Sequence, residues 1–280
     1  MVNKADLTRK GSLQIVDVPK VLRNGSLYIA QARIWNMLQW KWSIAGEAFA
    51  NPMFYLLSIG IGIGKFVNSH QPTGIDGVKY LVFLAPALLA SACIIGASNE
   101  VMHPTLEGFK WNKGFFAMNA TPISARQIAN GVLLSAVARA LFGTIIYYLA
   151  LLLFGGVNGL HSLWLLPATI FSAAAFAAMM LGFCAAIENS DLLMNIVNRL
   201  LIMPLFLFSG TFYSLSTMPK FLQFIGWLSP LWHATEIGRW ISYGHHISWQ
   251  AVTIHFLYMT IMLVVGLFYA HHHFKRRLSK

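Results

Sequence analysis

The sequence has few charged residues for its length. Asp, Glu, Lys and Arg make up 10% of the 280 residues, whereas soluble chains average about 25%. Hydrophobic residues make up 57%, so the chain has too few solvated side chains to cover a soluble core. The composition disfavours a cytosolic enzyme and a secreted scaffold, and it favours a membrane protein.

Cysteine is almost missing as well. The two cysteines, Cys93 and Cys184, both lie inside apolar runs, which gives no support to a disulfide framework or a thiolate zinc site. Residues 1–23 are polar and mixed in charge and lack the apolar stretch of a signal peptide. We therefore expect the first membrane segment to be retained.

Sequence motifs for nucleotide binding and catalysis are also lacking. The run GIGIGKF, residues 60–66, resembles a phosphate-binding loop. However, Ile59 precedes it where such a loop needs glycine, and Phe66 ends it where the loop needs Ser or Thr. Gly60 and Gly64 are better explained as a small-residue face that lets helices approach in lipid. We expect no ATP site in this chain.

No metal-binding or hydrolase spacing is present among the ten histidines. The triplet His271–His273 precedes Lys275, Arg276 and Arg277, and this pattern indicates an interfacial basic tail rather than a metal site. We therefore predict that the chain is not an enzyme and has no cofactor of its own.

What the sequence does contain is a series of long apolar runs. A helix needs about 20 mostly apolar residues to cross the hydrocarbon layer, and the runs are too continuous for an outer-membrane barrel. We predict an all-α integral membrane protein with six transmembrane helices. These are Phe49–Phe66, Tyr80–Ala97, Gly131–Phe154, Leu163–Ile187, Val197–Tyr213 and Ala251–Ala270.

The distribution of basic residues predicts the orientation of the bundle. With both termini in the cytoplasm, fifteen basic residues face inward and four face outward, as the positive-inside rule requires. One further cation, Arg139, falls inside the third span. It either extends to the inner boundary or contacts substrate.

Before the first span, residues Val21–Ser43 have apolar side chains at helical spacing with polar ones between them. This pattern predicts an amphipathic helix in the inner interface, where Trp35, Trp40 and Trp42 suit headgroup depth. Packing on soluble protein is the alternative. We divide the chain into a cytoplasmic N-terminus (1–48), a six-helix domain (49–270) and a basic cytoplasmic tail (271–280).

Two connections are too long for simple turns. In the inner one, Ser98–Asn130, Pro104 or Thr105 is suited to begin a short cytoplasmic helix and Gly108 to end it. In the outer one, Ser214–Gln250, the apolar run Phe221–Leu228 is too short to span the bilayer. We predict that it forms a re-entrant segment before the last span.

Three stretches carry a resemblance to a known family. They are FFAMNATPISARQIANGVLLSAVARALFG (Phe115–Gly143), PLFLFSGTFYSLSTMP (Pro204–Pro219) and LSPLWHATEIGRW (Leu228–Trp240). With the order of the segments, they resemble the ABC-2 type membrane subunits of ATP-driven exporters. The similarity is greatest to permeases that export nodulation factors and antibiotics, which have the type V exporter fold.

This resemblance implies a dimer of permease subunits in a bacterial cytoplasmic membrane. It would work with two cytoplasmic ABC ATPase subunits, which would hold the ATP and Mg²⁺. The implied cargo is amphiphilic or hydrophobic, such as a lipid-linked saccharide, a lipid or a drug; membrane lipid is an expected partner and nucleic acid is not. In the family, a helix between spans 2 and 3 contacts the ATPase. The matching residues here are Thr105, Leu106, Glu107, Gly108 and Phe109.

The resemblance also places the transport pathway at the dimer interface. Its candidate lining or gating residues are Phe206, Phe208, Phe212 and Tyr213, for which simple core packing is the alternative. At helical spacing of three, His233, Glu236 and Arg239 form a candidate outer polar cluster; a structural ion pair on a solvated face is the alternative. Two further functions stay open, a membrane-embedded lipid-modifying enzyme and an ATP-independent transporter or channel.

Overall fold

A computed structural model describes residues 17–71, 73–187 and 196–279. Within those ranges the regular structure is helical, and the one β-bridge joins Ile75 to Val78 in a tight turn. We number the α-helices in chain order. They are α1 (Val18–Gln39), α2 (Lys41–Tyr55), α3 (Gly64–His70), α4 (Tyr80–Leu106), α5 (Gly114–Asn119), α6 (Ala125–Leu153), α7 (Leu165–Ala186), α8 (Met203–Phe208), α9 (Lys220–Leu228), α10 (Pro230–Tyr243) and α11 (Trp249–Leu278).

Within the described residues, five helical segments are long and apolar enough to cross a membrane, which confirms an all-α integral membrane protein. Some include π or 3₁₀ turns that continue an α-helix, so each segment exceeds the roughly 20 residues required. The five segments are Lys41–His70, Tyr80–Trp111, Ala125–Leu153, Leu160–Ala186 and Trp249–Leu278.

The predicted span Val197–Tyr213 is described only in part. Residues 196–197 are helical, a π-helical stretch follows at Asn198–Ile202, and α8 ends at Phe208. Residues 188–195, which precede it, lie outside the described residues. The count of six spans therefore stays a prediction.

The centre of the bundle is formed by α4 and α7, each with many fully buried side chains. Helix α7 packs closely on α11 because glycines remove the side chains between them. A Cβ on Gly182 would lie 2.6 Å from the Tyr269 ring, and one on Gly266 would lie 2.5 Å from the backbone of Met179. Small residues permit such close helix contacts in lipid.

Helix α1 confirms the predicted amphipathic segment as a helix. It begins at the cap Asp17, whose side chain accepts a hydrogen bond from the Lys20 amide. It then follows the first turns of α6: a Cβ on Gly131 would meet the Ile29 side chain at 2.6 Å, and Arg33 donates to Ser135 Oγ at 2.9 Å. The two helices therefore run side by side in the same direction. The exposed tryptophans near its end are Trp35, Trp40 and Trp42.

The predicted short apolar segment after Pro219 is a helix, α9. The next helix, α10, begins at the cap Ser229, which accepts from the Leu231 amide, and ends at Gly244, whose φ of 72° closes the helix in the left-handed region. Helix α10 is mostly buried. Whether this α9–α10 hairpin re-enters the bilayer stays a prediction.

The segment interpreted as a basic tail continues α11 as far as Leu278. Phe274 is fully buried there, with its ring 4.9 Å from that of Phe109 and 5.5 Å from that of Phe115. Arg277 donates to the carbonyls of Ala185 and Ile187. These contacts hold the inner end of α11 against the connection between α4 and α6.

Candidate functional site

The predicted coupling residues do not form a separate helix. Thr105 and Leu106 continue α4, and Glu107, Gly108 and Phe109 belong to a π-helical turn that extends it to Trp111. The expectation that a short helix begins at Pro104 or Thr105 is therefore wrong: a proline inside a helix removes one hydrogen bond, and here buried packing keeps α4 continuous.

Four of the five coupling residues face the protein interior. Thr105, Leu106 and Phe109 are at most 7% exposed, and Gly108 is also buried. A Cβ on Gly108 would lie 2.5 Å from the Phe115 ring, and the Arg277 guanidinium lies 4.1 Å from the Phe109 ring centre. Only Glu107 is exposed among the five.

The short helix of this inner connection lies ten residues further along, at α5. Lys113 precedes it with a φ of 53°, and the Gly114 amide donates to Asn112 Oδ1 at 2.8 Å. Large apolar side chains are exposed here: Trp111 at 58% and Phe116 at 39%. We call the surface that carries Glu107, Trp111 and Phe116 the inner apolar surface, where inner refers to the predicted orientation. Its apolar side chains are open to a partner.

Two of the predicted pathway residues contact each other. The rings of Phe206 and Phe212 are 5.3 Å apart at 87°, and Tyr55 lies 6.2 Å from Phe206 on the other side. Tyr213 is more exposed and donates to the carbonyl of Leu207 at 3.2 Å. Phe206 and Phe212 thus form an edge-to-face aromatic pair at the end of α8, an arrangement that aromatic rings prefer.

Phe208 takes a different position from that pair. It is the last residue of α8 and is half-buried, and its carbonyl lies 3.0 Å from where a Cβ on Gly226 would stand. Gly226 thereby lets α9 pack directly against the end of α8. The position of Phe208 fits the core-packing alternative better than a lining role.

Of the predicted outer cluster, Glu236 and Arg239 form an ion pair at 3.1 Å. Arg239 is 1% exposed, so it is a buried residue and not part of a solvated face. Its guanidinium lies 3.8 Å from the Phe83 ring centre and donates to the carbonyl of Gly210 at 2.7 Å. Arg239 therefore joins α10 to α4 and to the turn after α8.

His245 connects the Glu236–Arg239 ion pair to the loop between α3 and α4. One ring nitrogen of His245 is 3.5 Å from Glu236, and the other is 3.4 Å from Asp76. Tyr243 donates to Asp76 at 3.4 Å, and burial raises the pKa of Tyr243 above its usual value. We call Asp76, Glu236, Arg239 and His245 the outer polar network.

His233 does not belong to this network. Its Nδ1 lies 2.7 Å from Nδ1 of His255 and its Nε2 lies 3.0 Å from the carbonyl of Trp227, while its ring stacks on Tyr258 at 3.9 Å. Burial, with His255 nearby, lowers the pKa of His233 to about 4. The neutral imidazole links α10 to α11.

Arg139 lies in an ion-pair cluster at the inner half of the bundle. Its Nε is 3.5 Å from Glu100 Oε2, and Arg33 of α1 is 3.2 Å from Glu100 Oε1. Burial lowers the pKa of Arg33, while Glu100 acts in the opposite direction. We call Arg33, Glu100 and Arg139 the inner ion-pair cluster; it joins α1, α4 and α6.

Beside this cluster is a cavity of about 350 Å³. It is bounded by α2, α4, α6 and the residues at the start of α8, and its lining includes Arg139 at one end and Phe206 at another. Its volume is within the roughly 300–1,000 Å³ of small-molecule sites. The cavity brings together two predicted residues that lie far apart in sequence.

Sequence reasoning missed Glu100, Arg33, Asp76 and His245. Glu100 is one of nine acidic residues and lies three residues beyond the predicted end of the second span. A buried arginine needs a counter-charge, so the presence of Arg139 was a signal that could have pointed to Glu100. No local pattern indicates the contact of His245 with Asp76, since the loop that carries Asp76 lies on another part of the chain.

Comparisons with known proteins agree with this architecture. The sequence profile described as ABC-2 type transporter matches residues 27–243. Nodulation protein J of Rhizobium leguminosarum bv. viciae is 28% identical over 250 residues, which covers 88% of this chain and 93% of that protein. Nodulation protein J of Rhizobium leguminosarum bv. trifolii is 27% identical over 271 residues, which covers 94% and 99%.

A third relative, Nodulation protein J of Rhizobium meliloti (strain 1021), is 28% identical over 228 residues, or 79% of this chain and 83% of that protein. The profile match includes all the predicted site residues from Thr105 to Arg239. The chain therefore belongs to the ABC-2 type transporter family, as a multi-pass protein of a bacterial cytoplasmic membrane, and members of this family typically work with ATPase subunits.

Proposed function

We propose that this protein is the permease subunit of an ATP-driven exporter that moves an amphiphilic or hydrophobic cargo out of the cell. The observation that carries the proposal is the ABC-2 match over residues 27–243. An apolar cavity bordered by Arg139 supports a cargo with an apolar and a polar part. A channel would instead use repeated polar or carbonyl rings.

The working unit in this proposal is a dimer of permeases on two ABC ATPase subunits, with both termini in the cytoplasm. The positive-inside count supports this orientation. Apolar side chains exposed in one subunit also fit an assembly, because Phe54 of α2 and Leu200 beside α8 are 71% and 72% exposed. Lipid or a second permease covers them.

The inner apolar surface is our proposed docking site for the ATPase. Glu107, Trp111 and Phe116 are exposed there, while Phe109 and Phe115 beneath them pack with Phe274 of α11. Protein interiors are close-packed and transmit strain. A push on this surface would therefore move α4 and α11 together. The buried coupling residues would transmit force, and the exposed ones would contact the motor.

Alternating access then follows from the partner's nucleotide cycle. ATP can bias the bundle only if the ATPase contacts its two conformations differently. In our proposal the aromatic pair of Phe206 and Phe212 gates the pathway, because Phe206 lines the cavity and Phe212 accepts a hydrogen bond from Tyr80 at the outer end of α4. Separation of the two rings would open the cavity outward.

The proposal is tested by reconstitution in liposomes with the ABC ATPase encoded beside it. We expect export of a fluorescent amphiphile that requires ATP and both proteins. Trp111→Ala should reduce ATPase binding by about tenfold, since a central aromatic anchor contributes about 1.4 kcal/mol or more. Trp164→Ala is the matched control, because Trp164 is 68% exposed at the opposite end of the bundle.

Two results would contradict the proposal. One is flux by the permease alone without ATP, which would favour an ATP-independent transporter. The other is conversion of a lipid by the permease alone, which would favour a lipid-modifying enzyme. Equal ATPase binding by the Trp111 and Trp164 variants would remove the docking role of the inner apolar surface while leaving the export function intact.

A further inference from the structure

The cavity between α2, α4 and α6 is elongated along these helices. Along α4 its lining runs from Leu88 to Asn99, which is about 16 Å at 1.5 Å per residue. Along α6 it runs from Arg139 to Tyr147, about 12 Å. It therefore extends over about half of the 30 Å hydrocarbon layer.

The two ends of this cavity differ. Asn99 and Arg139 line the end toward the inner side in the proposed orientation, while Leu88, Tyr147 and Phe206 line the other end. A guanidinium presents several N–H donors in a fixed plane. The cavity thus has a donor-rich end and a mainly apolar end, to which Tyr147 and Phe206 contribute their rings, as an amphiphile with a polar head and an apolar chain requires.

The wall between these ends is apolar although hydroxyl side chains belong to it. Ser91 Oγ donates to the carbonyl of Leu88 at 2.9 Å, and Thr144 Oγ1 donates to that of Ala140 at 2.7 Å. Both hydroxyl protons are therefore used within their own helices. The middle of the cavity offers methyl and methylene contacts to a chain that lies along it.

Two glycines keep the cavity open. Gly96 on α4 and Gly143 on α6 line it, and a Cβ at either position would have no atom within 4 Å. Close helix packing therefore does not explain these glycines, in contrast to Gly182 and Gly266. The space they leave is the cavity itself.

We propose that this cavity binds the acyl chain of a lipid, with the hydrogen-bond-accepting headgroup beside Arg139 and Asn99. The same chemistry describes a resident phospholipid and a transported amphiphile; its identification with the transported amphiphile rests on the export function proposed above. The acyl chain lies along Gly96 and Gly143 toward Tyr147. The site is within one subunit and requires no second copy of the chain.

The test uses the full-length permease in detergent and a lysophosphatidylglycerol that carries a diazirine in its acyl chain. We expect light-induced cross-links on the peptides that contain Leu88, Tyr147 or Phe206. Gly143→Leu should reduce this labelling by about tenfold, because the added side chain occupies the chain's path. Gly96→Leu is an independent second variant. Gly46→Leu is the control, since a Cβ at Gly46 also has no neighbour within 4 Å and Gly46 does not line the cavity.

The headgroup contact is tested with Asn99→Leu and with a diazirine alkane that has no polar head. We expect weaker labelling in both cases, by several-fold, as a lost hydrogen bond to a charged group implies. Labelling of Gly143→Leu and Gly96→Leu at the level of the Gly46 variant would overturn the proposal. So would cross-links located on peptides away from the cavity.

The source of the lipid and the export function are separated by repeating the labelling with the ATPase present. Release of the bound probe on addition of ATP identifies transported cargo, and retention identifies a resident phospholipid; both outcomes keep the lipid site. Export that persists in liposomes when Gly143→Leu abolishes labelling would remove the site as the cargo route. Labelling that persists without ATP-driven export would remove the export function alone.

Discussion

The two ends of the molecule each have an arginine within the helical bundle that pairs with a glutamate, yet the surroundings of the two arginines differ. In the outer polar network, the side chain of Arg239 is 2% exposed and that of Glu236 is 12% exposed. In the inner ion-pair cluster, the side chain of Arg139 is 23% exposed and lines the cavity. The outer arginine is enclosed by protein, while the inner one borders open space.

The difference separates a structural role of Arg239 from the binding role that we propose for Arg139. Arg239 is held by the Phe83 ring, the Gly210 carbonyl and Glu236, so its two terminal nitrogens bind protein groups and fix the turn after α8. Glu100 instead joins two arginines from different helices. Its two oxygens are thus shared between α1 and α6.

The largest expected effect is the loss of the outer arginine. Arg239→Met should destabilise the protein by about 3–5 kcal/mol, because Glu236 and the Gly210 carbonyl would lose a buried partner. The Arg239→Lys variant should also be less stable than the wild type, because lysine lacks the planar guanidinium that donates to both Glu236 and the Gly210 carbonyl. Thermal unfolding in detergent measures both. Lys220→Met, which removes an exposed cation of α9, is the control. Equal unfolding temperatures for the Arg239 and Lys220 variants would show that Arg239 does not stabilise the fold.

A smaller effect is expected for the inner ion-pair cluster. Glu100→Gln removes the charge that joins Arg33 and Arg139, at a cost of about 2 kcal/mol for a charged hydrogen bond that is partly exposed. Because Arg33 holds α1 to α4, amide hydrogen exchange should rise in Val18–Gln39 more than elsewhere. Lys220→Met, at an exposed residue that does not contact this cluster, is again the control. Unchanged exchange in α1 would show that packing on α6 alone holds it.

The same contrast explains what the sequence could predict. Both ends of α7, and the end of α6 at Leu153, lie within two residues of the ends of their predicted spans, because lipid requires apolar side chains over that length. The continuation of α4 beyond Ala97 could not be predicted in this way. Glu100 is stabilised inside the helix by ion pairs with Arg33 and Arg139, which lie on other helices.

The inner end of α11 shows the same limit. Residues 271–278 are polar enough to indicate a solvated tail, and they become helix because Phe274 is buried between Phe109 and Phe115. Likewise, the three-residue spacing of His233, Glu236 and Arg239 correctly predicts the Glu236–Arg239 pair. It cannot show that His233 faces α11 instead, since that depends on His255 and Tyr258.

Taken over one pH unit, the smallest expected effect concerns the protonation of His233. The pKa of His233 is lowered to about 4, so between that value and the usual 6.5 the unfolded state binds more protons than the folded state. Stability should therefore fall as the pH falls below 6.5, by at most about 1.4 kcal/mol per pH unit. His233→Gln should flatten this dependence, measured as unfolding temperature against pH. His246→Gln, at an exposed histidine, should leave the slope unchanged, and a similar slope in all three proteins would assign the acid sensitivity to groups other than the His233–His255 contact.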